Sequence, residues 1–154
     1  TTFFNSLEAV DTESDPLSNP YCVVMIDIDN FKRVNDTFGH LVGDKVIRFV
    51  ADSLRQSIKG RDCAARYGGE EYALMLPDTH LGNAVILCNK IREHIAKTNL
   101  VRSGTKESLG QITISAGIAQ KRSGEGRMDL LARADKALYL SKERGRNRVT
   151  AAEE

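Results

Sequence analysis

Two short stretches hold the residues best suited to chemistry. In MIDIDNFKRVND, Asp27 and Asp29 close an apolar run, and in RYGGEEY, Glu70 and Glu71 follow two glycines. Residues i and i+2 of a strand share a face, so a regular strand sets the carboxylates of Asp27 and Asp29 on one side. Hard oxygen ligands so placed suit Mg²⁺, which binds one or two carboxylates together with substrate phosphates. Lys32 follows closely enough to meet such a phosphate. The plainer alternative is a strand that ends in helix-capping Asp and Asn. For the second stretch, a two-residue turn at Gly68-Gly69 makes Glu70 the first residue of the returning strand and points Glu71 to the opposite face. One glutamate can then serve a given ion, and a neighbouring strand carrying DIDNFK would bring Asp27 close to Glu70. Solvated acids on a surface turn are the alternative here. Like charges gathered in a site raise a carboxyl pKa, which suits a general base.

A third cluster, SKERGRNR, crowds Lys142, Arg144, Arg146 and Arg148 at the end of a helical pattern. Cations there complement the helix dipole, which is reason enough for some of them. Gly145 at the helix stop also lets the chain turn, so that Arg146 can reach a polyphosphate. His80 and His94 have no ligand-like spacing with cysteine or acid and read as surface or packing residues. Neither GxxxxGK[ST], GxGxxG nor a nucleophile elbow occurs, which disfavours a P-loop enzyme and a serine hydrolase.

These residues need elements to position them. YCVVMIDID reads as a buried central strand with its acids at the C-terminal end. From Phe31 to Ile58 the apolar spacing is helical, with Val46, Ile47, Val50, Leu54 and Ile58 on one stripe and Gly39 and Gly43 expected to punctuate two helices. Cys63 to Tyr67 and Glu71 to Leu76 form a hairpin that Pro77 closes. A helix over 80–98, a strand over 112–119, a helix from Met128 to Gly145 and a short strand RVT complete the order. It matches a βααββαβ core: an α+β fold with a mixed sheet covered by helices. Residues 1–20, with FFNSLEAV and the turn-rich DTESDPLSNP, are expected to be a helix end and a loop preceding one domain over 21–154.

The 154 residues, 41% hydrophobic, suit one domain with one core. Balanced charge, 22 Lys+Arg against 21 Asp+Glu, argues against a nucleic-acid or anionic-membrane partner, so any phosphate-binding charge is local. Cys22, Cys63 and Cys88 form no CxxC pair and sit among apolar neighbours, as reduced residues in a cytoplasmic protein would. No apolar run is long enough to span a bilayer. Lacking an initial Met, the chain is expected to be a piece of a larger protein whose other segments could include a membrane anchor.

Taken in order, DIDNFKRVNDTFGHLVGD, RYGGEEY, ITISAGIA and ADKALYLSKERGRN resemble the GGDEF family of diguanylate cyclases, over about Tyr21 to Thr150. The resemblance implies a palm-like nucleotidyl cyclase fold with a mainly antiparallel five-stranded sheet surrounded by helices. It implies condensation of two GTP into cyclic di-GMP and two pyrophosphates, with Mg²⁺ or Mn²⁺, two ions per site. Each 3′-hydroxyl attacks the other α-phosphate, so two copies must face each other across a two-fold axis. By position, Asp27, the carbonyl of Ile28 and Glu70 match metal ligands, and Glu71 matches an acid that supports the metal or deprotonates the hydroxyl. Asn35 and Asp44 match guanine contacts, and His40 lies in the same pocket segment. Lys32, Lys142 and Arg146 match phosphate contacts, while Gly68 and Gly69 leave room for a phosphate.

The chain departs from the family pattern in three ways. Tyr72 replaces Phe and adds a hydroxyl that needs a partner. The inhibitory RxxD motif reads KGRD, with Asp62 in place but Lys59 lacking the planar fork of arginine, so product inhibition is expected to be weakened. The DxLTGLxN stretch is absent. A GTP-binding sensor without turnover, and another nucleotidyl cyclase on the same palm, are the competing readings.

Overall fold

A computed structural model describes residues 19–153, and the expected helix end and loop lie almost wholly outside the described residues. The elements run β1 (Tyr21–Ile28), α1 (Phe31–Phe38), α2 (His40–Ser57), β2 (Cys63–Gly68), β3 (Glu71–Pro77), α3 (Leu81–Lys97), β4 (Ile114–Gln120), α4 (Arg127–Glu143) and β5 (Val149–Ala151). The strands form one sheet in the order β2-β3-β1-β4-β5. Only the β4–β5 pair is parallel, so the sheet is mixed and mainly antiparallel.

β1 lies at the centre and is buried along its whole length. The reason is that helices cover both faces, which permits a continuous apolar run in place of strict alternation. Cys22, Val24, Ile26 and Ile28 pack with Phe31, Val46, Val50, Leu54, Cys88 and Ile91 beneath α1, α2 and α3. Tyr21, Val23 and Met25 face the other way, against Leu130, Leu131, Ala134 and Leu138 of α4. Each fully buried Val, Leu or Ile contributes roughly 1.5–3 kcal/mol relative to exposure. Asp27 is the next member of the row that faces α4, and it is drawn into the fold by that alternation.

Two glycines set the spacing of the layers. A Cβ on Gly117 of β4 would lie 2.1 Å from the Leu138 amide and 2.2 Å from the Ala134 carbonyl, so α4 seats directly on that strand. A Cβ on Gly43 would lie 1.9 Å from Asn35 Oδ1. Gly39 separates α1 from α2 as expected, but Gly43 sits inside α2 and ends nothing. Its use is close approach between two helices.

The hairpin departs from expectation by one residue. Gly68 is the last residue of β2, and the two turn residues are Gly69 and Glu70, with a register shift between Arg66 and Gly68. Gly69 takes φ +49°. The extra residue, Tyr67, is a β-bulge that hydropathy spacing does not reveal. Glu71, and not Glu70, therefore opens the returning strand.

Candidate active site

That shift decides which acid meets Asp27. In the β1–β3 register Asp27 pairs with Glu71, Ile26 with Tyr72 and Met25 with Ala73. Opposed residues of an antiparallel pair project to the same face, so Glu71 shares the α4 side of the sheet with Asp27. The expected pairing of Asp27 with Glu70 is corrected accordingly. Glu70 remains at the turn, where its backbone carbonyl accepts from the Ile28 amide at 3.2 Å. Its charge still raises the pKa of Asp27.

Asp27 is 6% exposed, and Lys142, the penultimate residue of α4, donates to its Oδ2. Its Oδ1 is buried without a hydrogen-bond partner. Burial pushes the Asp27 pKa above its usual value; the Lys142 bond and charge pull it down without fully compensating, and Glu70 and Asp29 add to the rise. Glu71 is raised as well, first by burial and then by Asp27, with Lys142 opposing and Asp135 and Glu70 reinforcing. A buried carboxylate oxygen left without a donor is costly, and a cation supplies what is missing. The donor set fits a divalent ion: one carboxylate with a free lone pair, further acids beside it, and space for phosphate oxygens. Among the described residues no three His, Cys, Asp or Glu side chains close on a point, so phosphates and water must complete any shell.

Asp29 lies in the turn just past β1, outside the strand, and its carboxylate is spent on structure. It accepts from Ser115 Oγ at 2.6 Å, Thr113 Oγ1 at 2.7 Å and the Asn147 amide at 2.9 Å. These bonds tie the end of β1 to β4 and to the loop after α4. Nothing in the local sequence around Asp29 identifies those distant donors.

The other site residues fall around this centre. Asn35 is half-buried on α1 with its amide against Gly43, and Asp44 is exposed one residue further along α2. Asp44 opens a cleft of about 450 Å³ between α2 and β2, lined also by Ile47, Ala51, Ala64, Arg66 and Tyr72. His40 lines a separate cleft with Phe38, Lys45 and Arg102, so the structure does not bring it to the Asp44 cleft. Lys32 and Arg146 are exposed. A Cβ at Gly68 or Gly69 would meet nothing within 4 Å, which leaves open space beside the turn. Arg66 Nε donates to the Gly69 carbonyl at 2.8 Å and braces that turn. The hydroxyl that Tyr72 adds finds its partner in the Ile47 carbonyl at 2.7 Å.

The KGRD segment is turned in on itself. The Lys59 amide donates to Asp62 Oδ2 at 3.2 Å, and the Asp62 amide returns a bond to the Lys59 carbonyl at 3.0 Å. Arg61 faces Asp78 at 3.9 Å.

A mixed sheet that holds an acid pair and a lysine at the end of its central strand defines the class as a palm-like α+β domain. Residues 2–148 match the family described as diguanylate cyclase, GGDEF domain, a span that begins nearer the N-terminus than the motifs alone do. The chain belongs to that family. It is 42% identical over 129 residues to diguanylate cyclase A of Treponema denticola, covering 83% of this chain and 34% of that protein. It is 41% identical over 133 residues to the response regulator PleD of Caulobacter vibrioides, covering 85% of this chain and 29% of that one. The chain thus spans about a third of the length of the curated relatives it matches. The crystal structure of the GGDEF domain of DgcB from Caulobacter crescentus in complex with c-di-GMP superposes with a TM-score of 0.95 at 41% identity, covering 99% of this chain and 89% of that one. No described helix is long and apolar enough to cross a membrane.

Proposed function

We propose that residues 21–154 act as the catalytic domain of a diguanylate cyclase that joins two GTP molecules into cyclic di-GMP. The observation that carries this reading is Asp27, buried with one oxygen unpartnered, opposite Glu71 and bonded to Lys142. Family membership and the c-di-GMP complex of the similar DgcB domain support the product class.

In this reading, Asn35 and Asp44 hold the guanine, the amide and carboxylate pairing with its edge, and Asp44 accepts from the N1 and N2 protons. His40 borders that pocket only if its cleft joins the one at Asp44. Lys32, Lys142 and Arg146 bind the triphosphate and offset charge that grows on it during reaction. Asp27, the Ile28 carbonyl and Glu70 would hold divalent metal, Mg²⁺ or Mn²⁺ and two ions per site, which when bound polarises the α-phosphate and shields the leaving pyrophosphate. Glu71, raised in pKa beside Asp27, takes the proton of the incoming 3′-hydroxyl. The 3′-oxygen then bonds to the α-phosphorus as the bond from that phosphorus to the pyrophosphate oxygen breaks. Among the described residues there is one such centre, so in this reading ring closure uses a second copy facing the first. Lys59 in place of arginine, with Asp62 engaged by the Lys59 amide, supports weak product inhibition.

Incubation with Mg²⁺ and either GTP or ATP at high protein concentration, followed by chromatography, tests the reading. Cyclic di-GMP from GTP alone is expected. GTP binding with no cyclic dinucleotide, even from a covalently enforced dimer, would instead indicate a sensor domain, and turnover of ATP a different cyclase.

A further inference from the structure

The loop after α4 passes through three successive residues of positive φ: Gly145 at 115°, Arg146 at 64° and Asn147 at 46°. Gly145 ends the helix in a Schellman motif, in which the Arg146 amide donates to the Ser141 carbonyl at 3.0 Å and the Gly145 amide to Lys142 at 3.4 Å. A single asparagine enters the left-handed region readily, but arginine does so at a cost, and two such residues in a row persist only where surroundings hold them.

Asn147 is what the surroundings hold. Its amide donates to Asp29 Oδ2 at 2.9 Å, and its side-chain Oδ1 accepts from Arg92 Nη1 at 3.0 Å. Arg92 comes from α3, an element with no other part in the site. Its side chain is 20% exposed, and its Nε donates to Asn89 Oδ1 at 3.1 Å, which fixes the guanidinium plane. On its outer edge Arg92 Nη2 lies 3.7 Å from Glu93. Arg146, one residue before Asn147, is exposed, and its side chain has no partner among the described residues.

From this arrangement we infer that Arg92, acting through Asn147, is a positioning residue that fixes the direction in which Arg146 leaves the backbone and so presents its guanidinium to a nucleotide triphosphate. The inference rests on the reading of Arg146 as a phosphate contact and adds to it an origin in α3. A guanidinium on an immobilised backbone loses less freedom when it forms its charge-assisted bonds, so affinity is gained without a new contact. Asp29 is the inner jaw of the clamp and Arg92 the outer one. The outer jaw can be removed without touching the strand that carries Asp27.

The test is a set of binding and rate measurements on the intact chain, with a non-hydrolysable GTP analogue in Mg²⁺ and with GTP. Arg92→Met removes the outer jaw. Asn147→Gly keeps positive φ accessible while deleting the Oδ1 acceptor, and it guards against misfolding of the first variant. Each is expected to weaken binding of the analogue about fivefold and to raise KM while kcat changes less than about twofold. Arg92→Lys, which can reach Oδ1 but not fork to Asn89, should fall between wild type and Arg92→Met. In an Arg146→Ala background, Arg92→Met should add less than about twofold, since the two act on one interaction. Full additivity in that cycle, or unchanged binding in both Arg92→Met and Asn147→Gly, overturns the inference while leaving the cyclase reading intact. Failure of the wild-type chain to bind the analogue overturns both.

Discussion

Burying a carboxylate with one oxygen unpartnered, as Asp27 does, works against the fold and is retained for another purpose. An acid whose folded pKa is raised favours the folded state when protonated, and that advantage disappears as pH rises from the ordinary carboxylate value through the folded one. The Asp27 pKa is raised from 3.8, so at neutral pH its charge destabilises the chain. Asp27→Asn, which keeps an acceptor for Lys142, should therefore raise the urea midpoint at pH 7 in EDTA and abolish cyclisation. The gain should shrink below pH about 4, where the aspartate is itself protonated. Added Mg²⁺ and GTP should stabilise the wild type more than the variant. Tyr72 gives the opposite kind of case: its hydroxyl bonds the Ile47 carbonyl inside the fold, so Tyr72→Phe should cost about 1 kcal/mol in denaturant unfolding while turnover persists. Both residues were legible as important from sequence, Asp27 from its place at a strand end and Tyr72 as a lone hydroxyl needing a partner. Glu71 was legible as a candidate acid, but its place opposite Asp27 was not, because a single bulged residue at Tyr67 moves the turn and exchanges the faces of the two glutamates. Asp29 was equally opaque, since its partners Thr113, Ser115 and Asn147 lie more than eighty residues away in the chain.

Elements are placed here by contacts that tolerate no added atoms, and the two tight glycines separate stability from binding. At Gly117 the obstruction is backbone, the Leu138 amide and Ala134 carbonyl of α4, which cannot move without lifting the helix from the sheet. Gly117→Ala should cost at least roughly 1–3 kcal/mol and lower the melting temperature by several degrees, as overpacking does. At Gly43 the nearest obstruction is the Asn35 side chain, with Phe31 at 3.2 Å. Gly43→Ala should therefore displace the Asn35 amide and weaken guanine-nucleotide binding, by about tenfold if one hydrogen bond is lost, with a smaller loss of stability. Calorimetric titration beside thermal melts separates the two outcomes. The strands and helices themselves were legible, because long stretches such as Val46 to Leu54 and Ala84 to Ile95 keep one period throughout. Gly43 misled because a glycine within a helical pattern marks either a break or a close approach, and only the position of Asn35 across the helix pair decides between them.

On the scale of the whole molecule the proposed cyclase is incomplete: the one acid centre among the described residues can make one phosphodiester bond, whereas a cyclic dinucleotide has two. Rate per chain should accordingly rise with protein concentration until pairs saturate. A stricter consequence follows from mixing chains. Glu70→Gln removes a proposed metal ligand, half-buried at the hairpin turn, while leaving Asn35, Asp44 and the apolar layers untouched, so it should fold, bind GTP and fail to turn over. In a mixed pair, the wild-type centre still joins the 3′-oxygen of the nucleotide on the variant chain to the α-phosphate of its own GTP and expels one pyrophosphate. The variant centre cannot perform the second displacement. Such pairs should release a linear dinucleotide that keeps one triphosphate, and its share of product should grow as excess variant is titrated into wild type. Mass spectrometry of the products distinguishes this from competition for substrate, in which cyclic product falls and no linear species appears. Cyclic di-GMP as the sole product, formed at a rate per wild-type chain that neither added variant nor dilution changes, would mean that a single chain completes both bonds and that the two-fold arrangement is not required.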